Sequence, residues 1–205
     1  MKDFGLTKRE FNILNKLSTP EKIQDFLETL AYNFEKKGET YMSPRRVLSE
    51  KKAHCLEGAL LAGLALWIHG KKPLLLDLKT TPSDGDHIIA LYRQNGYWGA
   101  ISKTNHACLR FRDPIYRNIR ELVASYFHEY FLNKNGEKTL RSYSRPFDLR
   151  QLGTDWITTD KDLWDIAYTL DEITHHPLFP KSQEKFIRKA DKFERRAGTL
   201  TEWQP

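Results

Sequence analysis

Two residues of this 205-residue chain have the type and the setting for nucleophilic chemistry. Cys55 heads a long apolar stretch, and His87 opens the second of three strand-like runs that follow it. Thiol acyl chemistry needs a nucleophile on a rigid, partly exposed element, a base within hydrogen-bond reach, and a group that orients the base. Cys55, His87 and an acceptor soon after the next strand would supply those parts in that order. A helix N-terminus also favours thiolate over thiol, through its free N–H groups and the positive end of its dipole. Lys51 and Lys52 push the same way, and Glu57 pushes against it. Taken singly, each residue has a plain structural reading as well. A cysteine beside a buried helix is usually a small core residue, and a histidine at a strand edge can simply be hydrogen-bonded in place.

The elements that must position these residues are legible from pattern. After Cys55 only Glu57 carries a charge until Lys71, and apolar or small residues fall on every face of a 3.6-residue period. That predicts a helix buried on all sides, ended by Gly70. Ser49 could cap an earlier start, which would put Cys55 in the second turn, where the dipole has faded. Downstream, 73–78 reads as a buried strand and 80–85 as a loop. The runs 87–92 and 97–102 flank Gln94-Asn95-Gly96, and Asn-Gly between two such runs is the strongest short-range hairpin signal.

The flanks read as mostly helical. Stretches 7–17 and 20–36 are amphipathic, the second opened by Ser18-Thr19-Pro20-Glu21, and 43–48 forms a short helical turn. Asp25 and Glu28 on the would-be recognition face exclude a helix-turn-helix. An irregular stretch covers 103–113, and Pro114 opens a helix to about Phe131. A strand over 139–144 and a loop-rich 146–158 come next. Thr159-Asp160 caps a helix to about Thr174, His175-His176 is loop, and 181–198 is a charged exterior helix. With no repeat and no low-complexity linker, 1–205 reads as one α+β domain with its core at about 45–130. In it a central Cys-bearing helix packs on a small antiparallel sheet, with flanking helices at both termini.

Composition narrows the function classes. A hydrophobic fraction of 40% and five Trp suit a folded core. No apolar run reaches the ~18 residues of a membrane span, and the first ten residues lack the apolar core of a secretory signal. Two cysteines then point to free thiols and a cytoplasmic setting, with a Cys55–Cys108 disulfide as the lesser alternative. The charge of +6 is dispersed among acids except near 181–196, which reads as a solvated basic surface rather than a nucleic-acid site. His54, Cys55, Asp86, His87 and His106 could suggest zinc, but no Cys-x-x-Cys or His-x-x-x-His pair supports it. No metal or other cofactor is expected.

The helix-borne cysteine in "HCLEGALLAGLAL", the apolar strand, and the hairpin in "DHIIALYRQNGYWGAIS" resemble the core of the transglutaminase-like, papain-related cysteine superfamily. The resemblance is nearest to a bacterial branch with "GYWGAIS" and "RDPIYR" segments, and it covers roughly 45–130. It implies a cysteine hydrolase or acyltransferase working through a thioester, with Cys55 as nucleophile and His87 as base. The third position departs from the family pattern, which has Asp a few residues after the strand Trp. Counting from Trp98 lands on Ser102, a neutral orienter. Asn105 is preferred to it because an amide oxygen can accept from a histidine N–H. Asp113 and Asp86 are further candidates. The alternative from another class is a non-catalytic interaction protein that binds an acidic partner through its basic C-terminal helix.

Overall fold

A computed structural model of the chain describes residues 4–205; the first three positions of the N-terminal stretch considered above lie outside them. The fold is α+β. Helices α1 (Lys8–Lys16) and α2 (Pro20–Thr29) lead to a short strand β1 (Ala31–Tyr32). Helix α3 (Pro44–Glu50), strand β2 (Lys52–Ala53) and the central helix α4 (Cys55–Ile68) follow. Then come β3 (Leu74–Thr80), β4 (His87–Gln94), β5 (Tyr97–Ile101), β6 (Arg112–Tyr116) and α5 (Ile119–Tyr126). The chain continues through β7 (Leu140–Ser144), β8 (Phe147–Asp148), α6 (Trp164–Glu172), β9 (His175–Pro177) and α7 (Lys192–Gly198).

The main sheet runs β6-β5-β4-β3-β7-β9, with β8 also pairing with β3, and every pairing in it is antiparallel. It is larger than the three or four strands expected. Both faces are covered, which is why β3 and β4 read as continuous apolar runs rather than alternating ones. Leu75, Ile88, Ala90, Tyr92 and Ile101 pack on the side of α4, with Leu60, Leu61 and Leu64. Leu76, Leu78, Ile89, Leu91 and Ala100 pack on the other side, against Leu122, Val123 and Tyr126 of α5. From Leu56 to Leu66 every residue of α4 is buried, as its all-round apolar pattern demands. Gly58 lets the helix approach Lys103, since a Cβ there would stand 2.5 Å from the Lys103 Cβ.

Several boundaries differ from expectation, each for a tertiary reason. Helix α2 stops at Thr29 rather than 36, because Ala31 and Tyr32 leave to pair in parallel with Lys52 and Ala53. The helix expected from Pro114 starts only at Ile119, capped by Asn118, and Pro114 lies in β6. β6 ends the sheet, where a missing N–H is tolerated. Thr159-Asp160 does not cap α6, which begins at Trp164. His175-His176 is strand rather than loop, paired with β7. The single helix expected over 181–198 is split into a 3₁₀ segment (Lys181–Phe186) and α7, the latter capped by Asp191. No helix among the described residues is long and apolar enough to cross a membrane.

Candidate active site

Cys55 is the first residue of α4. The early start from Ser49 does not occur: α3 ends at Glu50, Lys51 turns into the left-handed region at φ 53°, and β2 intervenes. His54 is the N-cap, so the thiol sits in the first turn, where the helix dipole is felt. Cys55 and Cys108 are both free and partly exposed.

Two imidazoles flank the thiol. His54 places Nδ1 4.0 Å from the Cys55 Sγ and 3.3 Å from the Leu56 N–H, while its Nε2 lies 2.7 Å from the Thr40 carbonyl oxygen. A carbonyl can only accept, so Nε2 carries a proton in either charge state, and Nδ1 accepts from the Leu56 N–H in the neutral ring or donates to the Cys55 sulfur in the imidazolium. Burial opposes charge on His54. The hydrogen bond to Cys55, the negative charges of Cys55 and Glu57, and the bond to Thr40 outweigh it and raise the pKa to about 9. For Cys55, burial alone would raise the pKa. Hydrogen bonds to His54 and then His87, with the charge of both, hold it well below 9.0.

Glu57, which counted against activation in the local sequence, anchors His54. It is fully buried and accepts from the His54 N–H at 2.9 Å, the Met42 N–H at 3.0 Å and the Thr40 hydroxyl at 3.0 Å. Asn33 adds Nδ2 at 3.1 Å. This is where the chain released early from α2 goes: 33–42 wraps the buried carboxylate.

His87 is buried, and its Nε2 lies 2.8 Å from the Ser102 Oγ. Ser102 donates its one hydroxyl proton to the Leu109 carbonyl oxygen at 2.5 Å. Towards His87 it can therefore only accept, so Nε2 carries the imidazole hydrogen and Nδ1 is the nitrogen left for the thiol. Gln24 of α2 fixes Ser102 from behind: its Oε1 accepts the Ser102 N–H at 3.0 Å, and its Nε2 donates to the Ser102 carbonyl at 2.9 Å.

The preference for Asn105 over Ser102 is corrected by these contacts. Asn105 pins the C-terminal segment, accepting the Trp203 N–H at 2.8 Å and donating to the Trp203 carbonyl at 3.1 Å. Of the two further candidates, Asp113 is exposed on β6, and Asp86 accepts from the Thr80 N–H at 2.8 Å. His106 is bonded to the Gly198 carbonyl.

Cys55 opens into a cavity of about 480 Å³ lined also by Glu35, Glu39, Tyr41, Asp77, Asp86, Tyr168 and Asp171. Of these only Asp86 was among the expected site residues; Glu35, Glu39, Tyr41, Asp77, Tyr168 and Asp171 were not. Asp77 and Asp171 come from β3 and α6, and no local spacing links them to Cys55. The sequence marks His54 only as a candidate metal ligand, yet a histidine directly before a helix-opening cysteine, with Glu three residues on, is a local signal for this role. Neither the family models nor the curated proteins compared with this chain include a match to it.

Proposed function

We propose that the chain is a cysteine-dependent hydrolase or acyltransferase of the transglutaminase-like, papain-related kind, acting on an amide or other acyl substrate through a thioester. The observation that carries this reading is the thiol at the first position of α4 beside two imidazoles, one of them tautomer-fixed by Ser102.

In this mechanism the Cys55 thiol proton passes to His87 Nδ1, the thiolate attacks the acyl carbonyl carbon, and the carbonyl π electrons move to oxygen. The Cys55 N–H at the helix start supports that oxyanion. As the tetrahedral species collapses, His87 Nδ1 delivers a proton to the departing amine and the thioester remains. Water, or an amine in the transfer case, then attacks the thioester carbonyl and gives its proton to His87, and the sulfur leaves as thiolate. Ser102 takes no proton; it keeps the ring orientation through both steps.

An activated acetyl ester, p-nitrophenyl acetate, tests the reading without knowledge of the substrate. The expected result is an acetyl group on Cys55 by mass spectrometry, formed much faster than on Cys108 and lost in Cys55→Ala. In His87→Ala the same adduct should form slowly and persist. Equal acetylation of the two cysteines would overturn the proposal. The interaction-protein alternative would survive Cys55→Ala and depend instead on Lys181, Lys185, Arg188 and Lys192.

A further inference from the structure

The cavity at Cys55 has a charge opposite to that of the protein. The chain carries 33 Lys and Arg against 27 Asp and Glu, yet Glu35, Glu39, Asp77, Asp86 and Asp171 line this cavity, and no Lys or Arg among the described residues does. Lys79 offsets one of them, with its Nζ bonded to Asp171 and 4.0 Å from the Asp86 Oδ2. His54 stands 3.9 Å from Glu35. An acidic excess remains after both.

An independent observation points to a ligand. Asp77 is only 2% exposed, its Oδ2 is held by His175 Nε2 at 3.0 Å, and its Oδ1 has no hydrogen-bond partner among the described residues. Leaving a buried carboxylate oxygen unpaired is costly, and the residue that carries it lines the cavity beside the nucleophile. Asp77, Asp86 and Asp171 bring ligand oxygens within 4.8 Å of one another. The remaining wall is apolar or aromatic, from Tyr41, Ile88, Leu170 and Tyr168.

We propose that this cavity selects acyl substrates bearing a basic side chain close to the reacting carbonyl. The ammonium or guanidinium is seated against Asp77 and Asp86, and the methylene stem lies along Tyr41, Tyr168 and Leu170. A long basic side chain is the ligand whose two parts match both kinds of wall. Tyr41 and Tyr168 add aromatic rings, to which a cation is attracted. A divalent metal fits less well, because the Lys79 ammonium is already bonded to Asp171 and would have to be expelled. The inference rests on the cysteine-enzyme reading, deepening it to a substrate class.

The test uses methanethiosulfonates with one reactive group and three charges: 2-(trimethylammonium)ethyl, methyl and 2-sulfonatoethyl, with modification of Cys55 and Cys108 followed separately. The neutral reagent reports the thiol itself; if Cys55 reacts with it no faster than Cys108, the cysteine-enzyme reading fails. Charge preference is read from the ratio of cationic to anionic rates. At Cys55 that ratio is expected to exceed the Cys108 ratio by about tenfold or more, to shrink with added salt, and to fall in Asp86→Asn and Asp171→Asn. Nα-acetyl-lysine methylamide should protect Cys55 from the neutral reagent, and the norleucine analogue should not. A Cys55 ratio no larger than that of Cys108, no change in either variant, or protection by calcium chloride in place of the lysine compound would overturn the inference. Each of those results leaves the neutral-reagent finding intact.

Discussion

His87 Nε2 and Ser102 Oγ are 2.8 Å apart, and the serine proton is committed elsewhere, to the Leu109 carbonyl. A neutral hydroxyl is a weak orienter when it is free to turn. Here its direction is set from two sides, by Leu109 through the side chain and by Gln24 through the backbone. Ser102 thus does for the tautomer of His87 what an amide or carboxylate oxygen would do.

Removing that acceptor leaves a buried imidazole N–H unpaired. Ser102→Ala is expected to lower acyl-transfer turnover by roughly tenfold, the weight of one hydrogen bond of ~1–2 kcal/mol. Ser102→Asn, which retains an acceptor, should recover part of it. The measurement is single-turnover acetylation of Cys55 in each variant. Asn105→Ala should affect thermal stability through the C-terminal segment while leaving that rate near normal, because its side chain is bonded to Trp203.

His54 supports the thiolate and caps α4. His54→Ala should shift the onset of Cys55 alkylation to higher pH, since it removes the hydrogen bond that lowers the thiol pKa most. Above about pH 9, where the ring is neutral and Nδ1 accepts from the Leu56 N–H, it should also cost about 1 kcal/mol of stability as a lost cap. Alkylation across pH and urea unfolding separate the two effects.

The carboxylate beneath His54 accepts from donors at both oxygens. Glu57→Gln would turn an amide NH₂ towards N–H or O–H donors in either orientation. A loss on the order of 2–4 kcal/mol is expected in urea unfolding. The less drastic Asn33→Ala, which removes one donor, should cost less.

Asp77 gives the fold a pH dependence of defined sign. Burial first, and then the charge of Asp86, raise its pKa from 3.8 to about 7. A folded-state value above the unfolded one contributes stability that is fully present below about pH 3.8 and lost as pH rises through about 7. Wild-type stability should therefore carry a falling component between those limits, measurable as urea midpoints across pH. Asp77→Asn should lack that component.

How far these features could be read from residues alone depended on whether the cause was local. Helix α4 was legible because an all-round apolar pattern has one solution, a helix enclosed by its own domain. The β4–β5 hairpin was legible because Asn95 and Gly96 both adopt positive φ, 49° and 88°, as that turn requires. The same turn also places Ser102 rather than Asn105 near His87. A two-residue connection pairs Gln94 with Tyr97 and Ala90 with Ile101, so the next step sets Ser102 across from Ile89, diagonal to His87 on one face. Asn105 lies three residues on, with the opposite parity and beyond the strand. By contrast, the early end of α2 was hidden, because Phe34 continues the helical period while Asn33 is drawn to Glu57, 24 positions away. The acidic wall was hidden for the same reason, since His175 and Asp77 meet across 98 positions.

The most direct test of the central claim is the rate of iodoacetamide alkylation at Cys55 and Cys108 in one sample across pH. Cys55, held low by its two histidines, should already react at its limiting rate at neutral pH and slow only in acid. Cys108, whose pKa is raised by burial and by Glu129, should react appreciably only above about pH 9. Two superimposable profiles with ordinary thiol midpoints would contradict an activated nucleophile at position 55.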